Sequence, residues 1–131
     1  MYMLDTNICI YIIKNKPASV RTKFEQMQIG DVAMSMITFG ELEYGALRSQ
    51  NATRQLQIMD ELSRYIPVLA MQQEVSKTYA EIRADLTSKG TPIGNNDLWI
   101  AAHARTLGAT LVSNNTKEFV RVDGLKLENW V

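Results

Sequence analysis

Hydrophobic and polar positions follow two periods along this chain, one close to two residues and one close to 3.6. Tyr2–Leu4 is a short apolar run that stops at Asp5, and Thr6 or Asn7 is placed to cap a helix over ICIYIIK. A second helix is expected around Val20–Gln28. The turn pair Gly30-Asp31 then opens a strand over Val32–Met36. Thr38 starts a helix to about Arg48, Asn51 caps another to about Arg64, and Ile66–Leu69 reads as a third strand. Val75, Tyr79, Ile82 and Leu86 recur at helical spacing, which predicts a long amphipathic helix over Gln72–Ser88, closed by Gly90. Another helix spans about Asn96–Leu107 and ends at Gly108. Ala109–Val112 forms a fourth strand that runs into Ser113-Asn114-Asn115, and Leu125–Leu127 adds a short last one. Strands separated by helices imply right-handed crossovers and a mostly parallel sheet with helices on both faces, an α/β sandwich.

Composition narrows the class. With 131 residues, 46% hydrophobic and 21% charged, the chain suits one domain with a real core and excludes a disordered segment. No apolar run approaches a membrane span, and the start MYMLDTN has neither a basic region nor a cleavage site, so a cytoplasmic protein is expected. The single cysteine, Cys9, excludes an internal disulfide and reads as a buried packing residue. Formal net charge is zero, so nothing global announces a nucleic-acid partner. Lys14, Lys16, Arg21 and Lys23 cluster early, and Lys77, Arg83 and Lys89 recur later. They read first as an ordinary solvated surface and second as a basic rim.

The acids change the picture. Ligands of open α/β sheets bind beyond the carboxyl ends of the strands. Asp5 lies at that end of the first strand, and Glu41 in the first turn of the helix leaving the second. Asp97 occupies the first turn of the helix that returns to the fourth strand, and Ser113, Asn114 and Asn115 follow that strand directly. Asp31 opens the second strand and belongs to the opposite edge, which makes it an internal control. Each acid has a plain structural explanation. Asp5 can begin a capped turn, Thr38-x-x-Glu41 spells a capping box, and Asp97 suits a helix N-terminus. Taken together they need more. Two carboxylates about 5 Å apart repel by roughly 3 kcal/mol at an effective dielectric near 20. No lysine or arginine occurs in LDTN, ITFGEL, GNNDL or VSNN. A hard divalent cation is the economical compensator, and oxygen ligands suit Mg²⁺ or Mn²⁺ better than zinc.

Other conspicuous residues read as structure. His103 follows Asp97 by about 240° round the helix, so it does not share its face. Trp99, Tyr44, Met34, Met36 and Met71 read as core or interface before they read as base-stacking groups. Glu43 is turned away from Glu41 and reads as solvent-facing. A receiver domain would need an aspartate after the third strand, where Ala70-Met71-Gln72 stands. An aspartate-nucleophile phosphatase would need a second aspartate where Asn7 stands.

The stretches MLDTNICIYIIKNKP, SMITFGELEYG, GTPIGNNDLWIAAHA and ATLVSNNTKEF, in this order and ending in LKLENW, resemble the successive motifs of PIN-domain ribonuclease toxins of the VapC type. The resemblance covers nearly the whole chain and implies a PIN-like three-layer sandwich in a single domain over residues 1–131. It implies a metal-dependent endoribonuclease in which Asp5, Glu41 and Asp97 hold Mg²⁺, with Mn²⁺ as a possible substitute. Thr6 and Ser113 match the hydroxyl residues that orient those acids. Asn115 stands where many relatives place a fourth aspartate, and either it or Glu118, one turn on, fills that role. The resemblance further implies a tRNA substrate, with the anticodon loop of initiator tRNA as the specific expectation. It also implies a homodimer, and a VapB-like antitoxin through which alone the pair contacts operator DNA. Hydrolysis by water would leave a 5′-phosphate and a 3′-hydroxyl. The alternative is a catalytically inactive module that binds an antitoxin-like peptide or RNA through a metal-dependent pocket.

Overall fold

The computed structural model describes residues 1–131. Strands β1 (Tyr2–Leu4), β2 (Val32–Ser35), β3 (Val68–Leu69), β4 (Thr110–Val112) and β5 (Lys126–Glu128) form one sheet in the order β3-β2-β1-β4-β5, every neighbouring pair parallel. Helices α1 (Thr6–Lys14), α2 (Ala18–Glu25), α3 (Met36–Leu47), α4 (Ala52–Tyr65), α5 (Glu74–Ser88), α6 (Asn95–Leu107) and α7 (Thr116–Phe119) make the connections. No helix is long and apolar enough to cross a membrane.

Strand periodicity builds two cores. Successive side chains of a strand point to opposite faces, and Met3 and Leu4 of β1 enter different apolar clusters, as do Leu111 and Val112 of β4. One cluster joins Met3 and Leu111 to Val75, Ile82, Ile100 and Phe119 from α5, α6 and α7. The other joins Leu4 and Val112 to Ile8, Ile12, Val20, Leu42 and Leu62 from α1 to α4. This is the expected three-layer arrangement, and its sheet is wholly rather than mostly parallel.

The chain runs outward from β1 to β2 and β3, then returns past β1 to β4 and β5. The strand order therefore reverses between β1 and β4, where a crevice opens at the carboxyl edge of such sheets. Asp5 leaves β1 and Ser113 leaves β4 at this point, and the Asp5 N–H donates to the Val112 carbonyl at 3.0 Å.

Several boundaries differ from expectation, each for a local reason. Asp5 itself caps α1, its Oδ1 accepting from the Ile8 N–H at 3.0 Å, so Thr6 is the first helical residue. Helix α2 begins at Ala18 and ends at Glu25, two or three residues ahead of the reading from apolar spacing. Helix α3 starts at Met36 because Ser35 caps it, accepting from the Ile37 N–H at 3.2 Å. The capping box at Thr38 is therefore absent. The Thr38 hydroxyl is buried inside the helix without a partner, and Glu41 bonds elsewhere. Strand β3 is reduced to two residues, and α7 lies in a segment to which the sequence assigns no element. Asn51 caps α4 and Gly108 closes α6 in the left-handed conformation at φ +67°, as their residue types predict.

Candidate active site

Four segments deliver carboxylates or their partners to the β1–β4 crevice. Asp5 is 6% exposed. Burial pushes its carboxyl above the usual range against the pull of the Ser113 hydroxyl and the Ile8 N–H, and the charge of Glu41 adds to the rise. Glu41 projects from the second turn of α3, where its Oε1 accepts from the Thr6 hydroxyl at 2.6 Å. Thr6 thus locks Glu41 next to Asp5. The Ser113 hydroxyl accepts from the Asn115 N–H at 2.9 Å, and the Asn115 amide donates to Glu118 Oε2 at 2.8 Å. Asp5, Glu41, Ser113, Asn115 and Glu118 are therefore tied in two short hydrogen-bonded arcs.

Asp97 stands between the arcs. The cap of α6 is Gly94, which has no side chain to offer, and the Asp97 carboxylate accepts no backbone N–H. Its pKa is pushed up to about 7 by burial first, then by a hydrogen bond and the charge of Glu118, then by the charges of Glu41 and Asp5. A helix-capping acid would be lowered by the N-terminal field. Asp97 moves the other way, and Glu118 is the strongest of the side chains that move it. The α7 helix, missed in the sequence, is what brings Glu118 there. Its signal was Asn115 followed by the apolar Phe119, a four-residue turn too short for periodicity to register.

No salt bridge in the protein involves Asp5, Glu41, Asp97 or Glu118. Lys14 lines a groove with Glu41 between α1, α3 and α4 but forms no ion pair with it. The control residue behaves as expected: Asp31 accepts from the Gln28 N–H at 2.8 Å on the far edge, in an ordinary turn. The side chains around Asp97 offer oxygen ligands and no lysine or arginine pairs with them, a set that fits a hard divalent cation. No three of these acids converge on one point at ligand distance, because Asp97 faces Glu118 while Glu41 is drawn to Thr6.

Of the residues read as structural, His103, Cys9 and Met34 lie in the core, whereas Met36 and Tyr44 are exposed. His103 is fully buried, with Nδ1 at 2.9 Å from the Ser35 hydroxyl, and burial lowers its pKa while the Ala70 carbonyl pulls the other way. Cys9 is buried, and burial followed by the charge of Asp5 drives its thiol far above the ordinary range, which removes it as a nucleophile. Trp99 stacks on Tyr79 with ring centroids 3.8 Å apart and planes 6° from parallel. Tyr44 is 61% exposed.

An acidic cluster at the switch point of a parallel sheet is the arrangement of a PIN-type nuclease. The chain matches the PIN domain over residues 2–125 and belongs to that family, whose ribonucleases depend on a divalent metal. Within the family it is of the VapC type, a ribonuclease toxin. It is 46% identical to the tRNA(fMet)-specific endonuclease VapC of Shigella flexneri, over 98% of this chain and 97% of the relative. It is 43% identical to ribonuclease VapC2 of Haemophilus influenzae, over 99% and 98% of the two chains. A solved structure of DNA-bound VapBC from Salmonella typhimurium superposes with a TM-score of 0.93 at 39% identity, covering 99% of this chain and 98% of that one.

Proposed function

We propose that Asp5, Glu41 and Asp97 hold the divalent cation of this ribonuclease, Mg²⁺ with Mn²⁺ as a substitute, and that Asn115 and Glu118 complete the site. The observation that carries the reading is Asp97, whose carboxyl is raised to about 7 by burial and by Glu118, Glu41 and Asp5, with no lysine or arginine bonded to any of them. Relief of that charge by a cation is the simplest reason to build it. A bound cation would supply Lewis-acid stabilisation of the phosphoryl oxygens and lower the pKa of a nearby water.

The chain's own residues do the rest. Thr6 fixes the Glu41 carboxylate at 2.6 Å, and Ser113 and Asn115 hold Glu118 through the hydrogen-bonded arc described above. Glu118, held by Asn115 opposite Asp97, would accept the proton of the attacking water while Asp97 ligates the cation. Water attack on phosphorus, rather than attack by the ribose 2′-hydroxyl, leaves a 5′-phosphate and a 3′-hydroxyl. His103 is buried and bonded to Ser35, so it is not available for the 2′-hydroxyl route.

The substrate is a tRNA, with the anticodon loop of initiator tRNA first in line, as the name of the Shigella flexneri relative suggests. The partner is a VapB-like antitoxin that carries the pair to operator DNA, in keeping with the VapBC complexes among the structural neighbours. The toxin acts in the cytoplasm as a homodimer.

The test is incubation of partner-free protein with total tRNA in Mg²⁺, beside an EDTA control and an Asp97→Ala variant of native fold. Discrete cuts with 5′-phosphate ends, lost in both controls, are expected. Intact tRNA throughout, from folded wild-type protein that binds the cation, would leave the inactive binding module as the correct reading.

A further inference from the structure

Five of the fourteen lysines and arginines pair with carboxylates. Lys89 bonds Asp85 at 3.0 Å and Asp123 at 3.4 Å, and Arg105 bonds Glu81 at 3.4 Å. Arg21, Lys23 and Arg64 also face carboxylates. Arg83 and Arg121 are among the nine that do not, as is Arg48, which donates to the Tyr44 hydroxyl at 3.2 Å; their place beside the turn before Asp97 sets them apart. Arg83 Nη1 donates to the Tyr79 hydroxyl at 2.7 Å, and Arg121 Nη1 donates to the Pro92 carbonyl at 3.1 Å. Both side chains are exposed. A guanidinium carries five N–H donors, so one neutral acceptor leaves its full charge and most of its donors unused.

Both arginines flank the same turn, Arg121 bonding it directly and Arg83 through Tyr79. Pro92 belongs to it, and the Tyr79 hydroxyl donates to Asn95 Oδ1 at 2.7 Å, two residues before Asp97. Trp99 stacks on the other side of this linkage and fixes the Tyr79 ring. A cleft of about 150 Å³ opens here, lined by Arg83, Thr87, Pro92 and Asn95 among others. The turn that presents Asp97 to the acid pocket is thus flanked by two positioned guanidinium groups.

An acid pocket repels the polyanion it must cut, so affinity has to come from cations beside it. We propose that Arg83 and Arg121 form the phosphate-binding rim of the site and contact the RNA backbone where it passes the Pro92–Asn95 turn. The planar fork of arginine suits phosphate oxygens, and neither fork is occupied by a carboxylate. Lys89, at the end of the same helix as Arg83, is neutralised by two aspartates and stands outside the rim. The proposal rests on RNA being the substrate, and it adds the residues that hold it.

Binding of a fluorescein-labelled anticodon stem–loop RNA is measured in EDTA, where the RNA stays whole, between about 50 and 200 mM KCl, for wild type, Arg83→Ala, Arg121→Ala, the double variant and Lys89→Ala. Counterion release predicts that the slope of log K against log salt shrinks by about 0.7 per lost arginine on single-stranded backbone and about 0.9 on duplex. Lys89→Ala keeps the wild-type slope. With Mg²⁺ restored, the double variant raises KM and leaves kcat within about twofold, the pattern of lost substrate binding. An unchanged slope in the double variant overturns the proposal, and so does a change in its oligomeric state by light scattering, which would assign the rim to a contact between copies. Wild-type protein that binds RNA with an arginine-dependent slope but never cuts it in Mg²⁺ would leave the rim standing and the ribonuclease chemistry wrong. Cutting with an unchanged slope would do the reverse, and wild type that binds no RNA would remove both.

Discussion

Helices α5 and α6 pack along their length, and their two ends are built on opposite principles. Near the C-terminus of α6, Arg105 reaches Glu81 at 3.4 Å and the Asp123 carbonyl at 3.0 Å, while the Thr106 hydroxyl bonds Thr78 at 2.8 Å. Charges and hydroxyls there find partners within the chain. At the N-terminus of α6, Asp97 has no backbone donor and no cation, and it faces Glu118 with Glu41 and Asp5 behind it. One end anchors the helix and the other carries a charge arrangement that the fold alone does not satisfy. Between the two ends the apolar face of α6 contributes Leu98, Ile100, Ala101 and Ala104 to a shared core.

The contrast can be broken first at the acid end. Asp97→Asn removes a charge the fold disfavours and is expected to cut RNA hydrolysis by at least about a hundredfold without loss of melting temperature, checked by cleavage kinetics and thermal denaturation together. A core substitution should do the opposite. Leu111→Ala, at a fully buried position of β4, is expected to cost about 2–5 kcal/mol in denaturant unfolding while the folded fraction keeps its specific activity. Thr6→Val sharpens the picture, because Thr6 touches the site only through Glu41. Metal affinity by calorimetry should fall roughly tenfold or more, with stability changed far less.

The titration of Asp97 has a definite sign. Its carboxyl is held at about 7 in the fold, above the ordinary carboxylate value of the unfolded chain. Its contribution to stability is complete below about pH 4 and is lost as pH rises toward 7, because the unfolded chain releases a proton that the fold retains. Metal-free wild type should therefore lose more stability than Asp97→Asn between about pH 4 and 7, read by urea unfolding. Cation binding should strengthen over the same range, because proton and cation compete for one site. The smallest effect belongs to the anchored end: Glu81→Gln, across an exposed pair, should cost about 0–1 kcal/mol and leave cleavage untouched.

The legibility of this protein in its sequence divides along the same line. Element types, the sheet and the placement of Asp5, Glu41, Asp97, Ser113 and Asn115 at one edge follow from apolar periodicity and the carboxyl-end rule, because strands alternate and crossover helices return to a fixed side. Boundaries were less legible. Asp5 and Ser35 each cap a helix one or more residues ahead of the expected residue, since a side chain that can accept from several N–H groups chooses by tertiary placement. The capping box at Thr38 and Glu41 was the sharpest local signal and is absent, overridden by the 2.6 Å bond from Thr6, a residue 35 positions away. The facing of Asp97 and Glu118 and the neutral partners of Arg83 and Arg121 were invisible for the same reason. They are contacts between segments, and no local pattern encodes them.

The central claim is that the acid edge is a cation site, and calorimetric titration of Mn²⁺ into partner-free protein near pH 7.5 addresses it most directly. Saturable binding by wild type, with protons released to the buffer and with the affinity lost in Asp97→Asn, is the predicted result. Equal isotherms for the two proteins would contradict the account and return Asp97 to the role of a half-buried acid paired with Glu118.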